Sequence, residues 1–346
     1  MLTTYTKFKK ALFDVPAHRL HEYLPGPCLF HLEGERSPAL FLSVLLHGNE
    51  SSGWDVVKRL LDRYKGKSLP RSLSILVGNV KAARYRKRKL QSQPDYNRVW
   101  ASGNTPEHDM MQSILDTMQQ RGVFASIDIH NNNGLNPHYA CTNRLDLRYL
   151  GLAREFSRMV IYFVRPSGVQ SLAFAKHCPA VTLECGQPGD EYGIQLATNY
   201  VDKVLNMKSI KPAKNIQEDI DLYHTVGVVK IPDDVSISFN TEPADVRFIN
   251  GIERLNFEEI PASTTLAQVN SDIERPMIVL DEDGKDIFAD YFRIDAEQLQ
   301  TTACIMPAML TDKIIFIRQD CFFYLMEKYD ISMGEKTIDT QTSVWS

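Results

Sequence analysis

Residues of the types that zinc hydrolysis uses stand at or shortly after the ends of apolar, strand-like runs in this chain. Residues 39–46 (ALFLSVLL) run into His47-Gly48-Asn49-Glu50. Residues 73–77 lead to Gly78-Asn79 and, further on, to Asp95-Tyr96-Asn97-Arg98. Residues 123–129 end in His130, and residues 180–183 end in Glu184. Hydrolytic zinc sites often take two histidines and one carboxylate, leaving a fourth position for water. His47 and Glu50 can chelate one ion from a single short loop, and His130 can supply the third ligand if its strand lies beside theirs. His138 and His177 compete for that third place from less strand-like surroundings. Asp128, two residues before His130, either caps a turn or orients an imidazole from behind. Glu184 follows Val-Thr-Leu, where a buried carboxylate is costly unless it has a partner or a task. Beside an activated water it can take a proton and deliver it to a leaving amine. Asn97-Arg98 offers an amide and a planar fork, the equipment for gripping a substrate carboxylate.

For these groups to meet, the strands must lie side by side with their carboxyl ends at one edge, where open α/β sheets bind ligands. Residues 28–32 and 39–46 read as two strands joined by a Gly-Glu-Arg-Ser-Pro turn. A helix follows Glu50, with Trp54, Val57, Leu60, Leu61 and Tyr64 on one face and Lys58, Arg59 and Asp62 on the other. Thr105-Pro106-Glu107 reads as an N-cap, a proline at the first helical position and an early acid, opening a helix that turns Met110, Met111, Ile114, Leu115 and Met118 inward. Further helices are expected over residues 150–160 and 194–207. This alternation implies an α/β fold, a mainly parallel sheet covered by helices on both faces.

Past the linker-like Lys211-Pro212-Ala213-Lys214 the pattern becomes short β-rich runs, at residues 225–231, 277–280 and 314–316. Asp283-Gly284 reads as a hairpin turn between residues 277–280 and 286–292. The expected division is a catalytic domain over residues 1–212 and a small, mostly β domain over 213–346. The Asp281/Asp283 pair hints at calcium but lacks EF-hand spacing, so a solvated turn is the expectation.

The whole-chain balance narrows the function classes. A net charge of -4 gives no global attraction to nucleic acid or anionic membranes. The basic run Arg84-Tyr85-Arg86-Lys87-Arg88-Lys89 is short, with one interleaved aromatic, and reads as a solvated face that can also contribute an anion-stabilising arginine. No apolar stretch approaches the ~20 residues that cross a bilayer, and the N-terminus lacks an apolar signal region. Six scattered cysteines with no Cys-x-x-Cys pair fit a reduced cytoplasm. The expectation is a cytoplasmic enzyme with a small-molecule substrate and neither a nucleic-acid nor a membrane partner; homo-oligomerisation stays open.

With these motifs in order, the sequence resembles the succinylglutamate desuccinylase/aspartoacylase family, relatives of the zinc carboxypeptidases. His47-Gly48-Asn49-Glu50 matches its HGNE-type motif, Asp95-Tyr96-Asn97-Arg98 its Asp-Leu-Asn-Arg, Asp128-Ile129-His130 its Asp-Leu-His, and Glu184-Cys185-Gly186 its Glu-x-Gly. The resemblance spans most of residues 25–210 and implies a zinc carboxypeptidase-like fold with a small C-terminal β domain. It also implies one Zn2+ per chain on His47, Glu50 and His130, with Glu184 as general base and Asn97 and Arg98 on the substrate carboxylate. The family's carbonyl-polarising arginine falls best on Arg88, with Arg86 the alternative. The implied activity is zinc-dependent hydrolysis of the amide, or an ester, of an N-acyl amino acid. A carboxypeptidase-type exopeptidase would use the same groups, and a catalytically silent binding protein on the same fold is the reading from another class. Three departures stand out: Tyr96 in place of leucine, the stretch Asn131-Asn132-Asn133-Gly134 in place of a threonine-containing segment, and no clear counterpart for a C-terminal tyrosine, Tyr324 being the nearest.

Overall fold

The computed structural model describes residues 2–132, 134–239 and 242–329. Asn133 and the end of the expected second domain lie outside the described residues. The described residues form two compact units, one of residues 2–131 and 138–222, the other of residues 132, 134–137, 223–239 and 242–329.

The first unit is built on a mixed sheet. Its strands are β1 (Thr3–Tyr5), β2 (Cys28–Leu32), β3 (Ala39–Val44), β4 (Leu73–Val77), β5 (Val123–His130), β6 (Tyr139–Thr142), β7 (Met159–Tyr162) and β8 (Ala180–Glu184), in the order β1-β2-β4-β3-β5-β8-β6-β7. The four central strands β4, β3, β5 and β8 are parallel, so their carboxyl ends share one edge. β2 and β6 run antiparallel to this block on either side. Central parallel strands are buried on both faces and read as continuous apolar runs, and every residue of β3, β4 and β8 is buried.

Helices α1 (Ser52–Arg63), α2 (Val80–Arg84), α3 (Pro106–Arg121), α4 (Leu147–Arg154), α5 (Gln170–Phe174) and α6 (Glu191–Asn206) flank this sheet. Successive strand residues point to opposite faces. Phe41 of β3 stacks on Phe174 of α5, ring centroids 4.4 Å apart, in a core shared with Met111, Ile114, Leu115 and Met118 of α3. Val44, on the other face, lies against Gly53 of α1. The inward face expected of α1 is buried at Trp54, Val57, Leu60 and Leu61. Among the described residues, no helix is long and apolar enough to cross a membrane.

The second unit is mostly β, with its own core around Val229, Phe248, Val279, Phe292, Phe322 and Leu325. In it β9 (Asp221–Lys230) pairs antiparallel with β13 (Ile278–Leu280) and β17 (Phe323–Lys328), and β17 with β16 (Met306–Ala308). A five-stranded sheet runs in the order β10 (Ile237–Ser238), β11 (Val246–Phe248), β12 (Thr265–Val269), β15 (Gln298–Thr301), β14 (Phe292–Asp295).

Three local expectations are corrected. The helix expected over 150–160 runs instead over Leu147–Arg154, because Asp146 caps it by accepting the Arg148 N–H, and Met159–Tyr162 leaves to pair with β6. The apolar 314–316 segment belongs to a short helix, Ile314–Gln319, with Ile314 and Ile315 exposed. Residues 286–292 do not form the return strand of a hairpin: Asp286 makes one bridge to Leu280, Phe288–Tyr291 is helical, and the strand begins at Phe292.

Candidate metal centre

The sheet brings the candidate residues together through its register. β3 and β5 pair in parallel, so His47, just beyond β3, arrives near His130, the last residue of β5, their rings 5.0 Å apart. On the other side of β5, His130 sits opposite Glu184, the last residue of β8. After β3 the chain turns at Leu45, whose φ of 56° is unusual for a leucine, and reaches His47 within three residues of the strand end. Gly48 is required by close approach: a Cβ there would lie 2.2 Å from the Ala83 nitrogen. Its N–H donates to the Arg88 carbonyl at 3.1 Å, which brings Arg88 to the His47 loop.

Glu50 lies between the two imidazoles. Its Oε1 is 2.7 Å from His47 Nδ1 and its Oε2 2.7 Å from His130 Nδ1. All three residues are buried, and one ligand atom from each falls within 4.8 Å of the others. This is the one such group of three potential ligands among the described residues. Burial raises the Glu50 carboxyl, but the neighbouring His47 and His130 imidazoles outweigh it and hold it well below the usual carboxylate range. His130 shows the reverse balance: burial lowers it, but Asp128 and Glu50 win and hold it well above the usual imidazole range.

Each imidazole also has a carboxylate on its second nitrogen. His47 Nε2 is 3.0 Å from Asp95 Oδ1, and His130 Nε2 is 2.7 Å from Asp128 Oδ2. Ser43 Oγ donates to the other oxygen of Asp128 at 2.6 Å, which accounts for a serine inside an apolar central strand. Of the two readings left open for Asp128, the structure selects imidazole orientation.

Asp95 is a hub that sequence reasoning quoted but gave no task. Beyond His47, it accepts the Asn97 N–H at 2.8 Å on Oδ1 and Arg88 Nε at 2.9 Å on Oδ2. Burial raises the Asp95 carboxyl, but His47 and Arg88 outweigh it and hold it well below the usual range. Arg88 is thereby turned inward, whereas Arg86 is exposed with a φ of 51°. Asn97 is buried; its Oδ1 accepts the Gln170 N–H at 2.9 Å and its Nδ2 lies 3.2 Å from His130 Nε2. Arg98 is partly exposed, and its Nη1 donates to the Asn97 carbonyl at 2.9 Å.

Glu184 is buried, and its Oε2 has no hydrogen-bond partner. Burial, reinforced by Glu50 and Asp128 against the opposing pull of His130 and Arg88, pushes it up to about 8. A buried carboxyl left with an idle oxygen calls for an explanation, and a position poised near neutrality is where proton transfer is efficient.

The competing histidines are engaged elsewhere: His138 Nε2 is 2.9 Å from Asp190 Oδ2, and His177 Nε2 is 2.8 Å from the Gln119 amide. Asp281 Oδ1 accepts the N–H groups of Asp283 and Lys285, which makes that region a capped turn. Tyr324 lies within β17 of the second unit, paired with Val228 and Ala308.

Fold and site together define a mixed α/β protein with a buried His-Glu-His group and, beside it, a buried carboxyl with an unpartnered oxygen at the carboxyl edge of its sheet. No protein-family model matches the chain, and no curated protein does. Solved structures do. Succinylglutamate desuccinylase from Vibrio parahaemolyticus superposes with a TM-score of 0.59 at 12% identity, over 87% of this chain and 86% of that one. A succinylglutamate desuccinylase/aspartoacylase from Rhodobacter sphaeroides gives 0.55 at 13%, over 86% and 88%. Murine aminoacylase 3 gives 0.54 at 14%, over 85% and 97%. The chain therefore has the desuccinylase/aspartoacylase fold, as the motifs implied.

Proposed function

We propose that this protein is a zinc-dependent amidohydrolase that removes the acyl group from an N-acyl amino acid. The observation that carries the reading is the buried, mutually close set of His47, Glu50 and His130 with the unpartnered Glu184 carboxyl on the adjacent strand. Two imidazoles and a carboxylate, each imidazole backed by a further carboxylate, are a donor set that fits zinc. His47, Glu50 and His130 would hold one ion, which when bound supplies Lewis acidity and an activated water.

The chain's own residues do the rest. Glu184 accepts the proton released as water oxygen bonds to the acyl carbon, and returns it to the amine nitrogen as the C–N bond breaks. Its burial keeps bulk water from competing for that proton. The Arg88 guanidinium, fixed through Nε by Asp95, stabilises the carbonyl oxygen as it gains negative charge, a contribution worth about 10²–10³-fold for one such donor. Arg98 supplies a fork and Asn97, held by Gln170, an amide for the substrate carboxylate, so that the scissile carbonyl faces the His47-Glu50-His130 group. The amino-acid class of substrate is supported by the desuccinylases and aminoacylase that share the fold.

The test is elemental analysis of chelator-free protein, followed by a screen of N-acyl amino acids against peptides with free C-termini. One zinc per chain with deacylation is expected. Absence of zinc after back-titration would remove the reading, and cleavage of peptides alone would replace it with the exopeptidase.

A further inference from the structure

Glu184 and the cluster stand on different elements, so something must hold their separation constant. The sheet does this as far as His130 and Glu184 themselves, where β5 and β8 end. One further bond follows, from the Cys185 N–H to the His130 carbonyl at 3.1 Å, and the loop Glu184-Cys185-Gly186 then turns at Gly186 with a φ of 69°. The residue that follows His130 spans the gap. Asn131 is buried, and its polar groups reach two loops. Its backbone N–H donates to Glu50 Oε2 at 3.2 Å. Its side-chain Oδ1 accepts the N–H of Ser52, two residues past Glu50, at 3.1 Å. Its Nδ2 donates to the carbonyl of Gly186, two residues past Glu184, at 2.9 Å. A second tie runs parallel to it: the Gly189 N–H donates to Ser52 Oγ at 3.4 Å.

We propose that Asn131 is a positioning residue whose carboxamide bridges the loop of Glu50 to the loop of Glu184. The proposal rests on the reading of Glu184 as proton acceptor given above. A carboxamide suits the task because it is the side chain that accepts from one backbone and donates to another in a single plane. Aspartate has the same shape but sets oxygen against the Gly186 carbonyl, cutting the Glu184 arm while keeping the Ser52 arm.

The thiol of Cys185, beside Glu184 and fully buried, reports the bridge without any assay of activity. Buried Cys28 and Cys178 in the same unit serve as internal controls, and exposed Cys304 as the reference rate. The experiment is timed labelling of the full-length wild type, Asn131→Asp and Asn131→Ala with a thiol reagent, each site quantified by peptide mass spectrometry. Asn131→Ala carries the test if the aspartate variant does not fold. Selective acceleration at Cys185 by about tenfold is expected, the scale of one lost buried hydrogen bond. Equal acceleration at Cys28 and Cys178 would mean general loosening and overturn the proposal, as would an unchanged Cys185. With a hydrolysed substrate in hand, Asn131→Asp should lower kcat about 10²-fold, the scale of a 1 Å misplacement, with KM within about threefold. The loss should vanish in an Asn131→Asp, Glu184→Gln double variant relative to Glu184→Gln alone. If the wild type hydrolyses nothing, the hydrolase reading falls while the labelling still decides the bridge.

Discussion

Asp95→Asn isolates the hub that joins the His47-Glu50-His130 group to Arg88, the arginine proposed for the oxyanion. The carboxylate accepts from Asn97 N–H and Arg88 Nε and stands against His47 Nε2, and asparagine keeps the shape while removing the charge. If its oxygen stays on the Oδ1 side, the Asn97 and His47 contacts persist as neutral ones, and the new NH2 meets the Arg88 N–H donor to donor. Hydrogen bonds to charged groups contribute about 1.5–3 kcal/mol and neutral ones about half that. Losing the Arg88 bond and weakening the others should cost about 2–4 kcal/mol of stability, or about 4–16 °C in the melting midpoint for a unit of this size. Removing the partner behind a metal-binding histidine typically costs about 10–100-fold in affinity. Zinc affinity by competition with a chromophoric chelator, with calorimetry of the metal-free protein, measures both. A zinc affinity equal to wild type would refute the argument, since it would mean that the His47–Asp95 contact does not tune the ligand.

Other consequences are as direct. Glu184→Gln should retain zinc at wild-type stoichiometry while kcat falls by at least about 10²-fold; near-normal turnover would take Glu184 out of the chemistry. Arg98→Lys should raise KM about tenfold with a smaller change in kcat, because a point charge does not replace a planar fork; unchanged KM would move the carboxylate clamp elsewhere. Ser43→Ala strips the 2.6 Å bond from buried Asp128 and should destabilise the protein by about 1–3 kcal/mol in urea unfolding; no change would mean that Asp128 is satisfied without it.

Where local order and chemistry coincide, the chain is legible. Residues 39–46 and 73–77 are apolar throughout because parallel central strands have two buried faces, and they form β3 and β4 within a residue or two of expectation. The acid and histidines stand out because polar residues at the ends of such strands have few structural reasons to be there. Elements outside this block were less legible. Residues 159–162 continue the apolar spacing of α4, and only pairing with β6 makes them a strand. Ile314 and Ile315 are β-branched and Phe316 is aromatic, yet the three sit in a helix with both isoleucines in solvent, a local preference overridden by tertiary context.

By itself the sequence determined the inventory: an α/β pattern, a His-x-x-Glu loop, a histidine and a glutamate at two further strand ends, and an arginine fork. That follows because periodicity and strand-end position are properties of neighbours in the chain. The tertiary structure alone decided which arginine of the basic run turns inward, that Asp95 joins His47 to Arg88, and that Ser43 and Asp128 stand behind His130. It also decided that Asn131, legible in the chain only as part of a stretch that departs from the family's pattern, ties the loop of Glu50 to the loop of Glu184. Such partners are chosen by strand register and close approach across the sheet, and nothing in the order of the residues encodes that distance.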